Sequence, residues 1–178
     1  MILKNTKYNF LIQQNKDRIY SYAFYMLKNK PDAEDVTQEV LIRIWKNLGN
    51  FKMSSGKAWI IKTTHNICID YLRKRSIMNN KEMSFDSMND DNNFANQSVG
   101  SIVYNFPDVL AAESIKKAIR KLPEKLRSVF VLYEIEGLKY KEISQALNVP
   151  INSVKVYLLR ARKELQKQLK ELNLEQVA

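Results

Sequence analysis

The stretch "INSVKVYLLRARKEL", residues 151–165, carries amide, cationic and aliphatic side chains at helical spacing. With about 100° of turn per residue, Leu158, Ala161 and Leu165 fall within about 40° of Val154. Asn152, Lys155, Val156, Leu159, Arg160 and Lys163 lie roughly opposite, with Ser153 at the edge. One face packs and the other is free to read. Amides and cations match base-edge acceptors and phosphates, and exposed Val and Leu match thymine methyls, so this face fits a DNA major groove. Upstream, "YKEISQALNVP" supplies a short amphipathic helix and then a turn, which completes a helix-turn-helix. Asn148 tolerates the left-handed backbone such a turn needs, and Pro150 suits the start of the next helix.

A second stretch with binding chemistry is "AWIIKTTHNICIDYLRKR", residues 58–75, where aromatic and basic residues interleave. Trp59, Lys62, His65, Asn66, Tyr71, Arg73, Lys74 and Arg75 share one expected helix with an apolar surface built from Ile60, Ile61, Ile67, Cys68, Ile69 and Leu72. Aromatic rings beside cations suit unstacked bases. Core packing of Trp59 and Tyr71 with a solvated basic tail explains the same residues equally well. A third stretch, "PDAEDVTQEV" at 31–40, concentrates Asp32, Glu34, Asp35 and Glu39 in a chain of net charge +10. Asp32 is expected to cap a helix whose positive N-terminal end favours Glu34 and Asp35. Gln38 and Glu39 lie beyond the cap and need another account.

Catalysis and metal binding find little material. His65 and Cys68 are the only residues of their kinds, too few for the three or four donors of a zinc site. Neither a Gly-rich phosphate loop nor a nucleophile paired with a base is evident, so the chain is expected to be no enzyme and to use no metal or cofactor.

The elements that must position these residues are helical. The 178 residues contain four Gly and four Pro, and apolar residues recur at three and four. Val36, Val40, Ile44 and Leu48 form one stripe, widened by Leu41 and Trp45, and an apolar run from Leu126 to Ile135 ends at Gly137. Charge divides the chain: residues 1–80 hold 14 basic and 6 acidic side chains, residues 81–108 hold 1 and 5, and residues 109–178 hold 14 and 8. The middle stretch, rich in Asn, Asp and Ser, reads as a flexible acidic linker. The expected fold is all-α: two small helical domains, 1–80 and 109–178, joined by 81–108, the second containing the helix-turn-helix. Such a linker offers little apolar surface to couple them. The N-terminus is broken by Lys4, Lys7 and Lys16 and no apolar run approaches the ~20 residues of a membrane span, so a cytoplasmic protein without membrane insertion is expected.

In this order, the motifs resemble the extracytoplasmic-function (ECF) sigma factors, the short group of bacterial RNA polymerase initiation subunits. "DAEDVTQEVLIRIWKNL" is similar to their region 2.2, "AWIIKTTHNICIDYLRKR" to regions 2.3 and 2.4, and "LPEKLRSVFVLYEIEGLKYKEISQALNVPINSVKVYLLRARKEL" to region 4. The resemblance implies that Asp35, Gln38, Glu39 and Arg43 dock on the clamp helices of the polymerase's largest subunit, with its flap as a further contact. It implies that Asn66, with His65, Trp59, Lys62, Arg73 and Lys74, approaches melted minus-10 DNA, and that a loop around Ser54, Ser55 and Lys57 helps form the pocket of a flipped base. Asn152, Ser153, Lys155, Val156, Leu159, Arg160 and Lys163 match positions that face the minus-35 duplex.

Several positions depart from the family's pattern. Lys139 stands where Ser or Thr often caps a helix, Asn148 and Asn152 where Gly is frequent, and His65 where Arg is usual. The resemblance further implies an anti-sigma factor as antagonist. A free-standing helix-turn-helix regulator is the competing function, and it would need neither the acidic surface nor the aromatic-basic helix.

Overall fold

A computed structural model describes residues 2–50, 53–82 and 109–177. Most of the linker stretch therefore lies outside the described residues. The described elements are α1 (Ile2–Leu27), α2 (Lys30–Asn47), a 3₁₀ turn (Leu48–Asn50), α3 (Met53–Glu82), α4 (Val109–Lys121), α5 (Glu124–Phe130), a π-helical segment (Val131–Ile135), α6 (Tyr140–Leu147) and α7 (Ile151–Val177). They are all helical.

α1 and α2 form a tight antiparallel hairpin because three residues, Lys28, Asn29 and Pro31, turn the chain. Lys28 adopts a left-handed backbone at φ 59°, and Asn29 is extended, with its side chain accepting from the Asp32 amide at 3.0 Å. Pro31 then occupies the first turn, where a missing amide hydrogen has no helical partner to lose. The cap of α2 is thus Asn29 and not Asp32, a correction with a simple cause: Lys28 starts the helix earlier than the acidic cluster does. Asp32 instead forms a short ion pair with Arg75 of α3, and Arg75 also reaches the carbonyl of Leu27 at 3.4 Å.

The first block packs α1, α2 and α3 around Ile19, Tyr22, Ala23, Met26, Val36, Val40, Ile44, Ile60, Ile67 and Cys68, all buried. Trp45 does not widen the buried stripe as expected. It is 38% exposed and meets Tyr8 edge-on, with ring centroids 4.9 Å apart. The second block packs Ile119, Leu122, Val129, Leu132, Leu138, Ile143, Val154, Leu158 and Ala161. The apolar run from Leu126 divides between α5 and the π-helical segment, and Gly137 turns the chain at φ 66°.

The blocks are not isolated from each other. α3 packs against α6, α1 meets α5, and a single apolar cluster runs through both blocks. Composition of the linker gave no sign of this, because the coupling surface lies on the helices.

Candidate nucleic-acid interface

The helix-turn-helix forms as its residues demand. Asn148 takes φ 54°, ψ 47°, the left-handed conformation that ends α6. Ser144 fastens the turn twice: its Oγ donates to the Val149 carbonyl at 2.6 Å, and its carbonyl accepts from the Val149 amide at 3.1 Å. Pro150 offers its carbonyl to the Val154 amide at 3.1 Å and opens α7. Lys139 cannot replace a Ser or Thr cap with its own side chain, but its amide donates to Glu142 Oε2 at 2.7 Å, so half of the reciprocal capping arrangement survives. That bond is the main reason the Glu142 carboxyl titrates below its ordinary range.

On α7, Val154, Leu158, Ala161 and Leu165 are buried, while Asn152, Lys155, Val156, Leu159, Arg160 and Lys163 are all exposed and Ser153 is half-buried. Val156 at 43% and Leu159 at 55% exposure are aliphatic groups with no core to fill. Two aromatic rings buttress this helix. Tyr133 and Tyr140 stack with centroids 4.9 Å apart, Lys155 Nζ lies 6.0 Å from the Tyr140 ring centre, and Arg162 lies over Tyr133. Arg162 also pairs with Glu134 Oε1 at 2.6 Å, which turns it toward the π-helical segment.

α3 sorts its candidates differently. Trp59, Lys62, Asn66 and Arg73 recur at intervals of three, four and seven and so share one stripe, which Asp70 also joins. Lys62, Asn66 and Arg73 are exposed on it, and Trp59 is half-buried and packs against the core. Lys74 is exposed to one side. His65 and Lys57 leave the stripe. The His65 ring is half-buried with Nδ1 2.8 Å from Tyr22 Oη, and burial lowers its pKa to about 4, so the ring is neutral at physiological pH. Lys57 Nζ reaches Glu142 Oε1 of α6 at 3.2 Å. Ser54 and Ser55 belong to the first turn of α3, which starts at Met53, so the expected loop around Ser54–Lys57 is helical. Cys68 is buried, and burial pushes its thiol up to about 12.

On α2, Asp35 and Gln38 lie away from the buried Val36, Val40 and Ile44, and Glu39 and Arg43 flank that stripe on one side in a short ion pair. Sequence reasoning missed Ile42. It sits at i+7 from Asp35, in the middle of this stripe, and is 51% exposed. An apolar residue between charged ones off the buried stripe was the available signal.

Comparison with known proteins divides the chain where the charge did. Residues 11–77 match the model of Sigma-70 region 2 and residues 112–165 that of Sigma-70, region 4. The ECF RNA polymerase sigma factor SigW of Bacillus subtilis is 33% identical over 164 residues, covering 88% of this chain and 86% of SigW. The chain belongs to the ECF sigma factor family. SigE of Mycolicibacterium smegmatis, another ECF RNA polymerase sigma factor, is 30% identical over 156 residues, and the match spans 88% of this chain but 59% of SigE. The fold agrees with the solved sigma factor RpoE in complex with the anti-sigma factor NepR from Bartonella quintana, at a TM-score of 0.74 and 22% identity over 91% of this chain and 96% of that one.

For an ECF sigma factor, the α7 face lies within the region 4 match and the α2 and α3 stripes within region 2. Among the described residues no cluster of His, Cys, Asp and Glu could hold a metal ion, and no helix is long and apolar enough to cross a membrane.

Proposed function

We propose that this sigma factor confers promoter choice on bacterial RNA polymerase without catalysis of its own. Its α7 face, Asn152 to Lys163, reads the minus-35 duplex. The α3 stripe of Trp59, Lys62, Asn66 and Arg73 engages the melted minus-10 strand, with Lys74 beside it. The α2 stripe of Asp35, Gln38, Glu39 and Arg43, centred on Ile42, docks on the clamp of the polymerase's largest subunit. The two blocks act as separate domains joined by residues 81–108, and the protein works in the cytoplasm, where polymerase and DNA meet.

The observation that carries this reading is the pair of exposed faces with unlike chemistry. α7 presents cations, an amide and aliphatic groups, which suits a major groove. α2 presents acids, an amide and a half-exposed Ile42, a composition that phosphate repels and a protein surface accepts. A free-standing regulator has use for the first face only. The sigma factor RpoE, of this fold, is known in complex with the anti-sigma factor NepR, and CnrH, of similar fold, with the cytosolic domain of CnrY; on that likeness an anti-sigma factor is a third partner of this chain.

Run-off transcription with purified core polymerase on a promoter library tests the reading. The chain should direct defined start sites, and Gln38→Ala with Glu39→Lys should abolish them while melting like the parent, since exposed substitutions stay within about 0.5 kcal/mol. Unchanged polymerase affinity in that variant across a salt series would transfer the assignment to the free-standing regulator.

A further inference from the structure

α3 runs further than its proposed minus-10 stripe. The region 2 match ends at residue 77, but the helix continues to Glu82. One turn beyond the cations Arg73 and Lys74 stand Ile77 and Met78, each four residues on and therefore on the same side as its predecessor. Ile77 is 50% exposed and Met78 65%, and among the described residues neither belongs to the apolar core cluster. At about 100° per residue, Ile77 lies within about 20° of Asn66 and about 40° of Arg73, in the middle of the α3 stripe. Met78 extends the side where Lys74 stands. Two large apolar groups thus close a polar stripe with half or more of their surface in solvent.

Charge and direction decide what covers them. Lys62, Arg73 and Lys74 line the approach, and Asp70, in an exposed pair with Arg73 at 3.5 Å, offsets one of those charges. A second copy of a chain of net charge +10 is repelled from such a face, whereas phosphates are drawn to it. Cations alone suffice for phosphates. Apolar side chains in the turn beyond add nothing to phosphate binding, but they match the C5-methyl of thymine, the apolar group that an A·T pair presents in the major groove. That groove admits an α-helix, so intact duplex is the form of DNA that fits here. From the minus-10 stripe the chain leads through Glu82 and residues 83–108 to the block that carries the minus-35 face, and the end of α3 therefore faces upstream. Asn66 and Ile77 are about 16 Å apart along the helix, the length of about five base pairs at 3.4 Å each.

We infer that Ile77 and Met78 form a third sequence-reading contact of this chain, made to thymine methyls in the major groove of the duplex within about five base pairs upstream of the base that Asn66 meets. The inference rests on the proposed reading of the α3 stripe at the minus-10 element. In this arrangement Arg73 and Lys74 hold phosphates at the edge of the melted segment, and the next turn of the same helix reads the first paired bases beyond it. Ile is stiff and branched where Met is unbranched and adaptable, so the preference should be sharp at the pair under Ile77 and weaker at its neighbour.

Replacing thymine by deoxyuridine deletes the methyl and keeps the hydrogen bonds of the pair. The test uses promoters recovered from the run-off library, with thymine placed in turn at each duplex position next to the minus-10 element. With core polymerase, the full chain should bind the thymine form about three- to fivefold more tightly than the deoxyuridine form at one or two adjacent positions, the worth of one buried methyl. Ile77→Ala with Met78→Ala should bring that ratio to one and leave polymerase affinity, minus-35 preference and the thermal melt as in the parent. Both sites are exposed and Ala is the strongest helix former, so the double variant keeps its fold. A flat scan in a parent that opens promoters overturns the inference and leaves the proposed function standing, and so does a methyl preference that the double variant retains. A flat scan together with a parent dimer in sedimentation, dissolved in the double variant, gives the face to a second copy and overturns it as well. Failure of the parent to direct any start site with core polymerase overturns the proposed function and this inference with it.

Discussion

α7 and α3 are both long basic helices with a proposed binding face, yet they were built under different constraints. α7 packs one stripe against the small helices of its block and leaves the remainder to solvent, so every candidate contact except the half-buried Ser153 is exposed together. α3 is wedged between α1 and α2 on one side and α6 on another. It must bury Thr63, Thr64, Ile60, Ile61, Ile67 and Cys68 over several faces, and its polar candidates take the gaps that remain. A helix at the edge of a fold can dedicate a surface to one ligand. A helix in the middle shares its residues between core, neighbour and ligand, and His65 and Lys57 are the ones claimed by the protein itself.

The largest effect should come from α7, where no residue on the reading face has a second duty in the core. Arg160→Ala should weaken minus-35 duplex binding by about 1–3 kcal/mol, fivefold or more, measured by fluorescence anisotropy. Arg162→Ala should leave sequence discrimination intact, because that side chain is already engaged with Glu134. Equal losses in both variants would mean that α7 contributes only general charge.

α3 should respond less, and in a different quantity. Lys62→Ala and Arg73→Ala should each reduce the salt dependence of binding to single-stranded minus-10 DNA by about 0.7 in log–log slope, one counterion's worth, with little change of sequence preference. A strong change of preference would show that the stripe reads bases through its cations and would erase the contrast with α7.

The hairpin between α1 and α2 offers a stability test of where the acidic cluster begins its work. Asn29→Ala removes the cap of α2 and should cost about 1 kcal/mol, lowering the melting temperature by about 2–4 °C. Asp32→Asn loses a partly exposed ion pair with Arg75 and should cost less. The reverse order would restore the cap to Asp32.

The smallest effect tests His65. Its pKa in the folded chain, about 4, lies below the ordinary value of 6.5, so the unfolded chain binds more protons between those values. Stability should therefore be complete above about pH 6.5 and decline as pH falls toward 4. His65→Gln should flatten that decline in thermal melts, and an identical pH profile would place the ring in solvent, available to DNA like its neighbour Asn66.

Much of this was legible before any coordinates. The period of α7, the left-handed Asn148 and the role of Pro150 follow from residue type and spacing, since a helix-turn-helix is local and its faces are set by phase. The start of α2 was harder. Asn29 and Asp32 are both good caps, and the choice fell to Lys28, a residue with no composition signal for a left-handed backbone. Trp45 follows the apolar period but sits at its margin, and only the arrival of Tyr8 from α1 shows what it packs against. Docking between the blocks was invisible for a deeper reason. It depends on single cations, Arg127 and Arg18, meeting a carbonyl and a carboxylate more than a hundred residues away, and long-range pairs of that kind leave no periodicity to read.

Cys68 has a consequence for chemistry rather than for shape. Sulfur reacts with peroxides and alkylating agents as the thiolate, and a thiol held at about 12 keeps only about one molecule in 10⁵ in that form at neutral pH. The side chain is also shut away from solvent beside Tyr22 and Ile67 in the shared core. In the folded chain Cys68 is therefore held as a buried thiol, shielded from sulfenic acid formation and from bridging to a second molecule.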